Sequence, residues 1–583
     1  MFVLQSKYNF KKSTTDNIYH PIDCINNTPI ILSFCEYFII FAPANQFERQ
    51  PIMIKSINFT ILLPLIILTA CNSTNKGNKN VTSIQSEANA TAQPLECLPY
   101  PDTMMVSANR LHFKIDTMLP NISGELRNIN NQYSSNSGIL TFRGDPSRQP
   151  SFSGTIKGTP SKVAVDWVFY TDYDDRESDF GIWGGGSGWT GQPLYIKWNN
   201  EQMSRIRSEA SQFLTDAFSN EEIFIGSLCG KVYFIDYKTG KESRTPYDVV
   251  NPIKGTMSID PSMNGNLYIG HGIPCEQPFG AMIINLYNHK LVSMFPKDNN
   301  AWKGWGAYDP SPIAVGDFMF RLGENGTIYK LYCDGDSVKL HSTLRYNPYH
   351  AGYGSPGIES SLAVSRNYGY FGDNHGNIIA INLDNLKPVW HYSNHDDTDA
   401  TIVVEEENGT PYIYTGCEIQ RQGLSGYSYF VKLNGLNGEL VWEQKIAGRC
   451  DSIGGKLREG GMFASPLIGK GDCEGLIFSN FCVIERGNMG EFVAMDKNTG
   501  EIKYRVTLNN YSWSSPIALY NENNEMFIVT GDTSGNLYII RGKNGAVLLK
   551  QHIANNFESS PIIIGNKIVC GSRGREIYKL SIE

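Results

Sequence analysis

Several features that would place this chain of 583 residues in a common class are missing from it. The net charge is −8 and no basic stripe occurs, which argues against a nucleic-acid partner. Long helical periodicity is scarce, and neither a nucleophile-elbow pattern nor a Cys-x-x-Cys-His haem motif is present. Two apolar stretches, residues 30–41 and 57–67, are too short to span a bilayer. What the chain does contain is glycine (56) and proline (28), which suit a fold with many turns.

A four-strand unit recurs about eight times, and its last copy stops after the third strand. From Ser514 the unit runs through a Ser-Ser-Pro step, three strands separated by glycine turns, and a fourth strand that starts at Ala546. From Ser559 the same order stops three strands later, at the end of the chain. Residues 163–170 alternate like a strand and supply the missing fourth one. One face of that strand carries Val163, Val165, Trp167 and Phe169.

A repeat that ends short and begins with an orphan strand indicates a ring closed between its two ends, because radial closure hides sheet edges. The sequence therefore predicts an all-β chain: an eight-bladed β-propeller of four-stranded antiparallel blades, closed between strand 163–170 and the C-terminal blade. A helix over residues 200–218 is predicted as an insert in the first blade. The predicted starts of the innermost strands are Pro193, Pro261, Pro312, Leu362, Ile402, Pro466, Pro516 and Pro561.

The first hundred residues or so carry targeting signals in place of the repeat. A short basic start at Met53, an apolar stretch and the sequence Leu-Thr-Ala-Cys resemble a bacterial lipoprotein signal, which makes Cys71 the predicted lipidation site. We therefore expect an outer-membrane lipoprotein that faces the periplasm. The predicted segments are an upstream mis-start (1–52), the signal peptide with its lipobox (53–71), a disordered tether (72–103), a lead-in (104–162) and the propeller (163–583).

One recurring motif resembles the tryptophan-docking signature of pyrroloquinoline-quinone-like propellers. It is fullest in Ala-Met-Asp-Lys-Asn-Thr-Gly-Glu-Ile-Lys-Tyr, residues 494–504, and the sequence Phe-Arg-Gly-Asp-Pro-Ser-Arg, residues 142–148, resembles the lead-in of that family. The resemblance covers residues 140–583 and implies that aromatic side chains lock neighbouring blades together. The aromatic residues in those places are Trp167, Trp390, Trp442 and Tyr504.

Two branches of this family lead to different functions. Quinoprotein dehydrogenases use a quinone with calcium beneath a disulfide of adjacent cysteines, and no two cysteines are adjacent here. The other branch is non-enzymatic and includes the B lipoprotein subunit of the outer-membrane β-barrel assembly machinery (BamB-like). The lipobox, the ring closure and the missing cofactor motifs favour the second branch. We therefore expect no catalytic residue, no cofactor and no metal, and a scaffold that docks an envelope protein, with outer-membrane protein assembly as one such role.

The alternative hypothesis is a binder or oxidoreductase that holds a quinone or a glycan in the central funnel. Tryptophans on blade-end loops suit a sugar or a partner, although blade packing explains them equally well: Trp183, Trp189, Trp302 and Trp305. The acidic loop 172–179 is interpreted as a solvated loop and the glycine-rich stretch 184–191 as a flexible rim loop. His391 and His395 have a spacing that could bind zinc on a helix, but they are interpreted as part of an interblade loop.

The cysteines leave two interpretations open. In an oxidising compartment Cys473 could pair with Cys482, and Cys417 with Cys450. Buried thiols on strands are the other interpretation, because sequence alone cannot fix pairing.

Overall fold

The computed structural model describes residues 111–583, apart from residues 123, 127–128, 189–190, 336, 349–354, 454–455 and 483–488. Cys71, the signal peptide and the tether lie outside the described residues, as does Trp189. Within the described ranges, no helix has the length and apolar character needed to cross a membrane.

Eight four-stranded antiparallel blades form a ring, which confirms the predicted propeller. From the innermost strand outward, blades 1 to 4 consist of Leu194–Lys197, Glu221–Gly226, Lys231–Asp236 and Glu242–Asp248; Ser258–Ile259, Asn266–Gly270, Gly280–Asn285 and Lys290–Pro296; Ile313–Val315, Phe318–Gly323, Thr327–Asp334 and Ser337–Pro348; and Ala363–Ser365, Tyr368–Gly372, Asn377–Asn382 and Pro388–Ser393. Blades 5 to 8 consist of Val403–Glu407, Thr410–Gly416, Ser425–Asn434 and Leu440–Arg449; Leu467–Ile468, Leu476–Phe481, Gly490–Asp496 and Ile502–Leu508; Ile517–Tyr520, Met526–Gly531, Asn536–Arg541 and Val547–His552; and Ile562–Ile564, Lys567–Gly571, Glu576–Ile582 and Val163–Tyr170.

The ring closes in blade 8, as predicted, where Val163–Tyr170 pairs antiparallel with Glu576–Ile582. A bulge between Val165 and Trp167 interrupts the pairing. Because of this bulge the simple alternation fails in the middle of the strand, and Val165 is 49% exposed whereas Val163 and Phe169 are buried.

The predicted starts of the innermost strands need one correction. In blade 2 this strand spans Ser258–Ile259, so Met257 occupies the position that was predicted for Pro261. Pro261 follows the strand and does not precede it. Proline is tolerated before a strand but is not required there. A prediction from the position of proline alone therefore places the innermost strand of blade 2 four residues too late.

The lead-in adds secondary structure to the ring at three places. Leu111–Thr117 pairs antiparallel with the outermost strand of blade 3. Gly138–Ile139 pairs with the innermost strand of blade 1, and Gly154–Thr155 runs parallel to the innermost strand of blade 7. Between the first two of these strands lies the helix Ile129–Ser134.

The predicted helical insert of blade 1 is present but shorter than its periodicity suggested. An α-helix spans Asn200–Glu209, and Asn199 caps its start by accepting a hydrogen bond from the backbone of Gln202. After it come a 3-10 turn at Ser211–Phe213 and irregular chain. Three short hairpins or bridges pair Asp174–Ser178 with Gly181–Gly184, Glu418–Ile419 with Gly460–Gly461, and Asp451–Ile453 with Lys456–Arg458, and a further 3-10 turn spans Gly471–Cys473.

Aromatic side chains on outermost strands contact the outer hairpin of the following blade. Trp390 of blade 4 donates from Nε1 to the Gly435 carbonyl of blade 5 at 2.8 Å, and its ring lies against Gly438. Gly438 has φ +73°, and a Cβ there would lie 2.7 Å from the ring, so both the turn and the ring require glycine. The same contact recurs from Trp442 to Lys497 at 2.9 Å, from Tyr504 to Gly542 at 2.5 Å, and from Trp167 of blade 8 to Tyr237 of blade 1 at 3.1 Å.

Two other blade junctions use a cation for this contact. Arg244 of blade 1 donates to the Leu286 carbonyl of blade 2 at 2.6 Å and pairs with the buried carboxylate of Glu222. Lys330 of blade 3 donates to the Leu383 and Asp384 carbonyls of blade 4. Between the blades, the apolar faces of neighbouring sheets form the core, as where Val389 and Trp390 of blade 4 meet Ile402 and Val431 of blade 5.

The described cysteines are free thiols, and six of the eight are buried, although most of them lie in turns and loops beside the strands. No disulfide links any of the eight cysteines in the described part of the chain. Cys417, Cys450, Cys473 and Cys482 are all buried, and burial raises the pKa of the Cys417 and Cys473 thiols to about 12. Of the two interpretations left open, the buried thiol is therefore the one that the fold adopts.

Candidate functional site

One position of the repeat faces the end of the channel at which the blade-to-blade connections lie. It stands two residues before the Ser or Thr that precedes each innermost strand. In blades 2 to 8 this position holds Lys254, Asp309, Glu359, Asp399, Phe463, Trp513 and Glu558. Five of these seven side chains line one cavity of about 40 Å³, from Asp309 round to Trp513. The mouth therefore has an acidic side and an aromatic side.

A chain of hydroxyl groups fixes these loops relative to one another. The backbone N–H of one blade's Ser or Thr donates to the hydroxyl of the equivalent residue in the next blade. Such bonds run from Ser311 to Ser361 (2.9 Å), from Ser361 to Thr401 (2.9 Å), from Ser465 to Ser515 (3.0 Å) and from Ser515 to Ser560 (3.1 Å), and Gln192 donates to Thr256 (2.9 Å). Each mouth residue is thus held two residues from a fixed anchor.

The lead-in crosses the channel beneath this mouth. Arg143 is buried and donates to the carbonyls of Pro466 (2.8 Å) and Pro516 (3.1 Å), which begin blades 6 and 7. Arg148, also buried, donates to the carbonyls of Ser311 (2.9 Å) and Leu362 (2.8 Å), at blades 3 and 4. Burial lowers the pKa of Arg148 to about 10, so both guanidinium groups remain charged at neutral pH. They tie opposite sides of the ring to one segment.

The acidic side of the mouth begins with a carboxylate cluster in which two members are buried and Glu359 is half-buried. Asp309, Glu324 and Glu359 each bring a carboxylate oxygen within 4.8 Å of the others. Lys254 forms an ion pair with Asp309 and lies 3.8 Å from Glu324, whose other oxygen accepts from Trp305 Nε1 at 2.8 Å. Burial raises the pKa of Asp309 and raises that of Glu324 well above its usual range. For Lys254 burial opposes the charge, but the carboxylates outweigh it and raise its pKa.

A second cluster continues the acidic side from blade 5. Asp397, Asp399 and Glu418 bring carboxylate oxygens within 4.8 Å of one another, and the Glu418 N–H donates to the Asp397 carbonyl at 2.7 Å. The neighbouring carboxylate of Asp396 accepts from the backbone of Gln420 and Arg421, both at 3.0 Å, which holds this loop in place.

The quinone of the dehydrogenase branch does not fit the described mouth. That cofactor is itself a polycarboxylate, and the groups that converge here are mostly carboxylates with a single lysine. The cavity of about 40 Å³ is also far below the 300–1,000 Å³ that is usual for cofactor sites. In the first acidic cluster, the ammonium of Lys254 already supplies the positive charge that a cation would bring. The described mouth therefore does not fit the quinone, and its first acidic cluster does not fit a calcium ion.

A larger groove lies next to the mouth on the side of blades 6 to 8, where the Tyr511 ring of the groove lies 5.2 Å from the Trp513 ring of the mouth. Its volume is about 530 Å³. Aromatic side chains and side-chain amides line it together: Tyr173, Trp183, Tyr511, Asn510, Asn555 and Asn556. Two arginines stack in the wall, Arg573 at 5.0 Å from the Trp183 ring and Arg458 at 4.9 Å from the Tyr511 ring. Glu558, from the same repeat position as the mouth residues, also lines this groove.

The glycine-rich stretch is a wall of this region and is not the flexible loop that the sequence suggested. Gly184, Gly185, Gly186 and Gly188 are buried. A Cβ on Gly186 would lie 1.8 Å from the Ser572 carbonyl of blade 8, and Ser187 donates its N–H to that carbonyl at 3.0 Å. Glycine is present because two backbones touch.

The other predicted rim residues are dispersed. Trp183 lies in the groove, Trp305 binds Glu324 behind the mouth, and Trp302 is 43% exposed away from both. His391 is a buried strand residue bonded to Asn377, whereas His395 stacks on Tyr429, so this pair forms no joint site. The acidic loop forms a hairpin in which Asp174 binds Arg176, while Asp172 binds Lys231.

Sequence reasoning missed the mouth residues, although a signal for them exists. Aligning the repeats on the Ser or Thr step places Lys254, Asp309, Glu359 and Asp399 at one register position. Glu324 and Glu418 lie outside that register, at the ends of second strands, and reach the mouth through the fold alone.

Comparison with solved structures supports the fold assignment. A europium-containing methanol dehydrogenase is 12% identical, with a TM-score of 0.51 and coverage of 76% of this chain and 98% of that one. The quinohemoprotein alcohol dehydrogenase from Comamonas testosteroni is 13% identical, with a TM-score of 0.53 and coverage of 82% and 83%. BamB from Moraxella catarrhalis is 14% identical, with a TM-score of only 0.41 and coverage of 66% of this chain and 98% of that one. No protein-family model and no curated protein matches the chain. The fold is therefore similar to that of the pyrroloquinoline-quinone-type propellers.

Proposed function

We propose that this protein binds a carbohydrate in the groove and mouth at one end of its propeller. The observation that carries the proposal is the groove of about 530 Å³, in which aromatic rings and side-chain amides face the same space. Sugars need this combination, because their C–H faces pack on aromatic rings while their hydroxyls pair with amides and carboxylates.

The side-chain amides of the groove suit a polyhydroxylated ligand, and the positively charged Arg458, Arg573 and Arg575 line the same space. Asn510, Asn555 and Asn556 each offer both a donor and an acceptor. Trp183 Nε1 is buried and has no hydrogen-bond partner among the described residues, so it remains available as a donor. The stacked Arg573 and Arg458 hold the rings in place.

The mouth extends the same chemistry toward the channel axis. Asp309, Glu359 and Asp399 offer carboxylate oxygens on one side, and Phe463 and Trp513 offer rings on the other. An oligosaccharide lying in the groove would place one end near these groups. Because no catalytic set is required for binding, the proposal keeps the non-enzymatic role expected from the sequence.

Isothermal titration with cellotetraose, maltotetraose and chitotetraose, after a glycan-array screen, tests the proposal. We expect one glycan class to bind, and Trp183→Ala to weaken that binding about tenfold, since a lost stacking contact of about 1.4 kcal/mol corresponds to that factor. Trp302→Ala, which removes a tryptophan outside the groove, is the matched control and should leave the affinity unchanged. Absence of binding across the array, or equal binding by both variants, contradicts the proposal.

A second candidate function is the envelope scaffold expected from the sequence. The observation that favours it is blade 5, where large apolar side chains reach solvent: Leu424 (75% exposed), Tyr427 (46%), Leu440 (46%) and Val441 (46%). A docked envelope protein would cover such residues. In this role Cys71 carries the lipid anchor, and the protein faces the periplasm from the outer membrane.

Crosslinking in intact envelopes tests the scaffold. We expect one reproducible partner to be recovered with the parent chain and lost with the double variant Leu424→Lys and Tyr427→Lys. Cys71→Ser should release the protein from membranes and abolish labelling by a fatty-acid probe. A parent chain that never takes up the probe excludes the anchor, and a partner retained by the double variant excludes blade 5 as the docking surface.

A further inference from the structure

The interface between blades 2 and 3 contains a cavity that is separate from the groove and the mouth. Its volume is about 190 Å³. The wall is formed mainly by apolar and aromatic side chains from both blades and from the lead-in: Met118, Phe295, Pro296, Tyr308, Tyr329, Leu331 and Leu340. Between blades 4 and 5, by comparison, the interface is filled by core residues.

Two arginines from blade 3 also line this cavity, on the sheet face toward blade 2. Arg321, on the second strand, pairs with Tyr329 of the third strand. Arg345, on the outermost strand, pairs with Thr327 of the same third strand. Arg345 is neutralised, since it binds Asp116 of the lead-in at 2.5 Å and Asp298 at 3.3 Å.

Arg321 is not neutralised. It is 2% exposed, and its one hydrogen bond runs from Nη1 to the Ile269 carbonyl at 3.3 Å. Its Nε and Nη2 atoms have no hydrogen-bond partner among the described residues, and no described carboxylate forms an ion pair with it. A buried guanidinium without a counter-charge is costly, so such a group is expected to meet an anion.

Other buried arginines of this chain show what a purely structural guanidinium looks like. Arg244 is fully buried at the interface of blades 1 and 2, and it pairs with Glu222 and a backbone carbonyl. Arg143 and Arg148 fill their donor positions with carbonyls. Arg321 differs from all three because two of its donors point at no acceptor and its side chain lines a cavity.

We infer that this cavity binds a small amphiphilic carboxylate, whose head group pairs with Arg321 and whose apolar body packs against Phe295, Leu331 and Leu340. The planar guanidinium and the carboxylate suit a two-pronged hydrogen bond through Nε and Nη2. The cavity volume admits one short aliphatic chain or one ring. Met118 lines the cavity and is 43% exposed, so a ligand can reach the cavity past this side chain without opening the ring.

Titration calorimetry with octanoate as the probe, and octan-1-ol as its uncharged counterpart, tests the inference. We expect octanoate to bind the parent chain with 1:1 stoichiometry and at least tenfold more tightly than octan-1-ol. Arg321→Met should weaken octanoate at least tenfold while changing octan-1-ol less than twofold. Leu340→Trp, which fills the cavity, should abolish both.

Arg321→Met also separates binding from folding. It removes an uncompensated buried charge, so its melting temperature should equal or exceed that of the parent, whereas Arg244→Met should lower the melting temperature and leave octanoate binding intact. No octanoate binding at millimolar concentration, or equal binding by Arg321→Met, overturns the inference. Glycan binding at the groove should be unaffected by Arg321→Met, so the two sites are tested independently.

Discussion

At the scale of single residues, stability depends on a few large side chains placed at blade junctions. Trp390 has no exposed surface and joins blades 4 and 5 through its ring and its Nε1 hydrogen bond. Trp167 makes the equivalent contact between blades 8 and 1 but is only half-buried. We therefore expect tryptophans in the same motif to contribute different amounts to the free energy of unfolding.

Replacing Trp390 by alanine should lower the free energy of unfolding by about 3–5 kcal/mol, because it leaves a large cavity and an unbonded Gly435 carbonyl. Trp167→Ala should cost less, since part of its ring is already in water. Urea denaturation followed by circular dichroism measures both. Trp302→Ala is the control and should stay within about 0.5 kcal/mol of the parent. An equal loss in the Trp390 and Trp302 variants would contradict this.

A second residue-scale prediction concerns His289, which stacks on Phe213 at 4.3 Å. Burial, and secondarily Arg244, lowers its pKa to about 4, below the usual 6.5. As the pH falls from 6.5 to 4, His289 becomes protonated in the unfolded chain but stays neutral in the folded chain. The free energy of unfolding therefore falls by up to about 3 kcal/mol. His289→Phe should remove this contribution.

The measurement is the slope of unfolding free energy against pH between 4 and 6.5. This slope is insensitive to any constant cost of placing phenylalanine at φ +59°. Over this range the slope of the parent should exceed that of His289→Phe by an amount that corresponds to the uptake of about one proton on unfolding. Parallel curves for the two proteins would mean that His289 titrates normally in the folded state.

At the scale of elements, the closing strand and the first strand of the lead-in cover the outer edges of two blades. Val163–Tyr170 is the outermost strand of blade 8, more than 400 residues from its partner in sequence. Leu111–Thr117 likewise covers the outer edge of blade 3, and Leu111 joins the core. Both strands protect edges that would otherwise pair with other chains.

Ring closure predicts a specific crosslink. Tyr170 pairs directly with Glu576 and is 61% exposed, so Tyr170→Cys with Glu576→Cys should form a disulfide on mild oxidation. Because the bond closes almost the whole propeller, it should stabilise by up to about 5 kcal/mol. Non-reducing electrophoresis and thermal melting read the outcome.

Two controls make this crosslink decisive. Tyr170→Cys combined with Val547→Cys, on the outermost strand of blade 7, should not crosslink within one chain, and the single variants should melt like the parent. Efficient crosslinking of the second pair would mean that the strand closes a different blade.

At the scale of the whole molecule, the lead-in segment acts as a tie across the channel. Arg148 bonds to blades 3 and 4, while Arg143 bonds to blades 6 and 7. The ring is therefore held at its circumference by blade docking and at its centre by two guanidinium groups.

Arg148→Met should lower the stability of the whole ring by at least about 3 kcal/mol, because several buried carbonyls lose their donor. The midpoint of urea unfolding is the measurement, and Arg207→Met, on the exposed face of the helical insert, is the control. A variant that keeps the parental midpoint would show that water replaces the guanidinium and that the hydrogen bonds of Arg148 do not stabilise the ring.

The sequence alone determined the ring, because a strand period and a turn pattern repeat along the chain and a single orphan strand precedes them. These signals can be recognised without knowledge of any distant contact. The resemblance to the family's docking motif identified Trp390, Trp442 and Tyr504, which lie on outermost strands. Local rules failed where a bulge shifts Val165, where Pro261 follows its strand, and where glycines at 184–188 serve a backbone contact in place of flexibility.

Only the tertiary structure decided which side chains meet. Lys254 and Glu324 are 70 residues apart and share no motif, yet closure of the ring brings them to one cluster. The groove combines residues from the beginning and the end of the propeller. The cavity at Arg321 exists because two adjacent sheets leave a gap that no local pattern encodes. Binding chemistry here depends on distances between blades, and those distances are set by the packing of the complete ring.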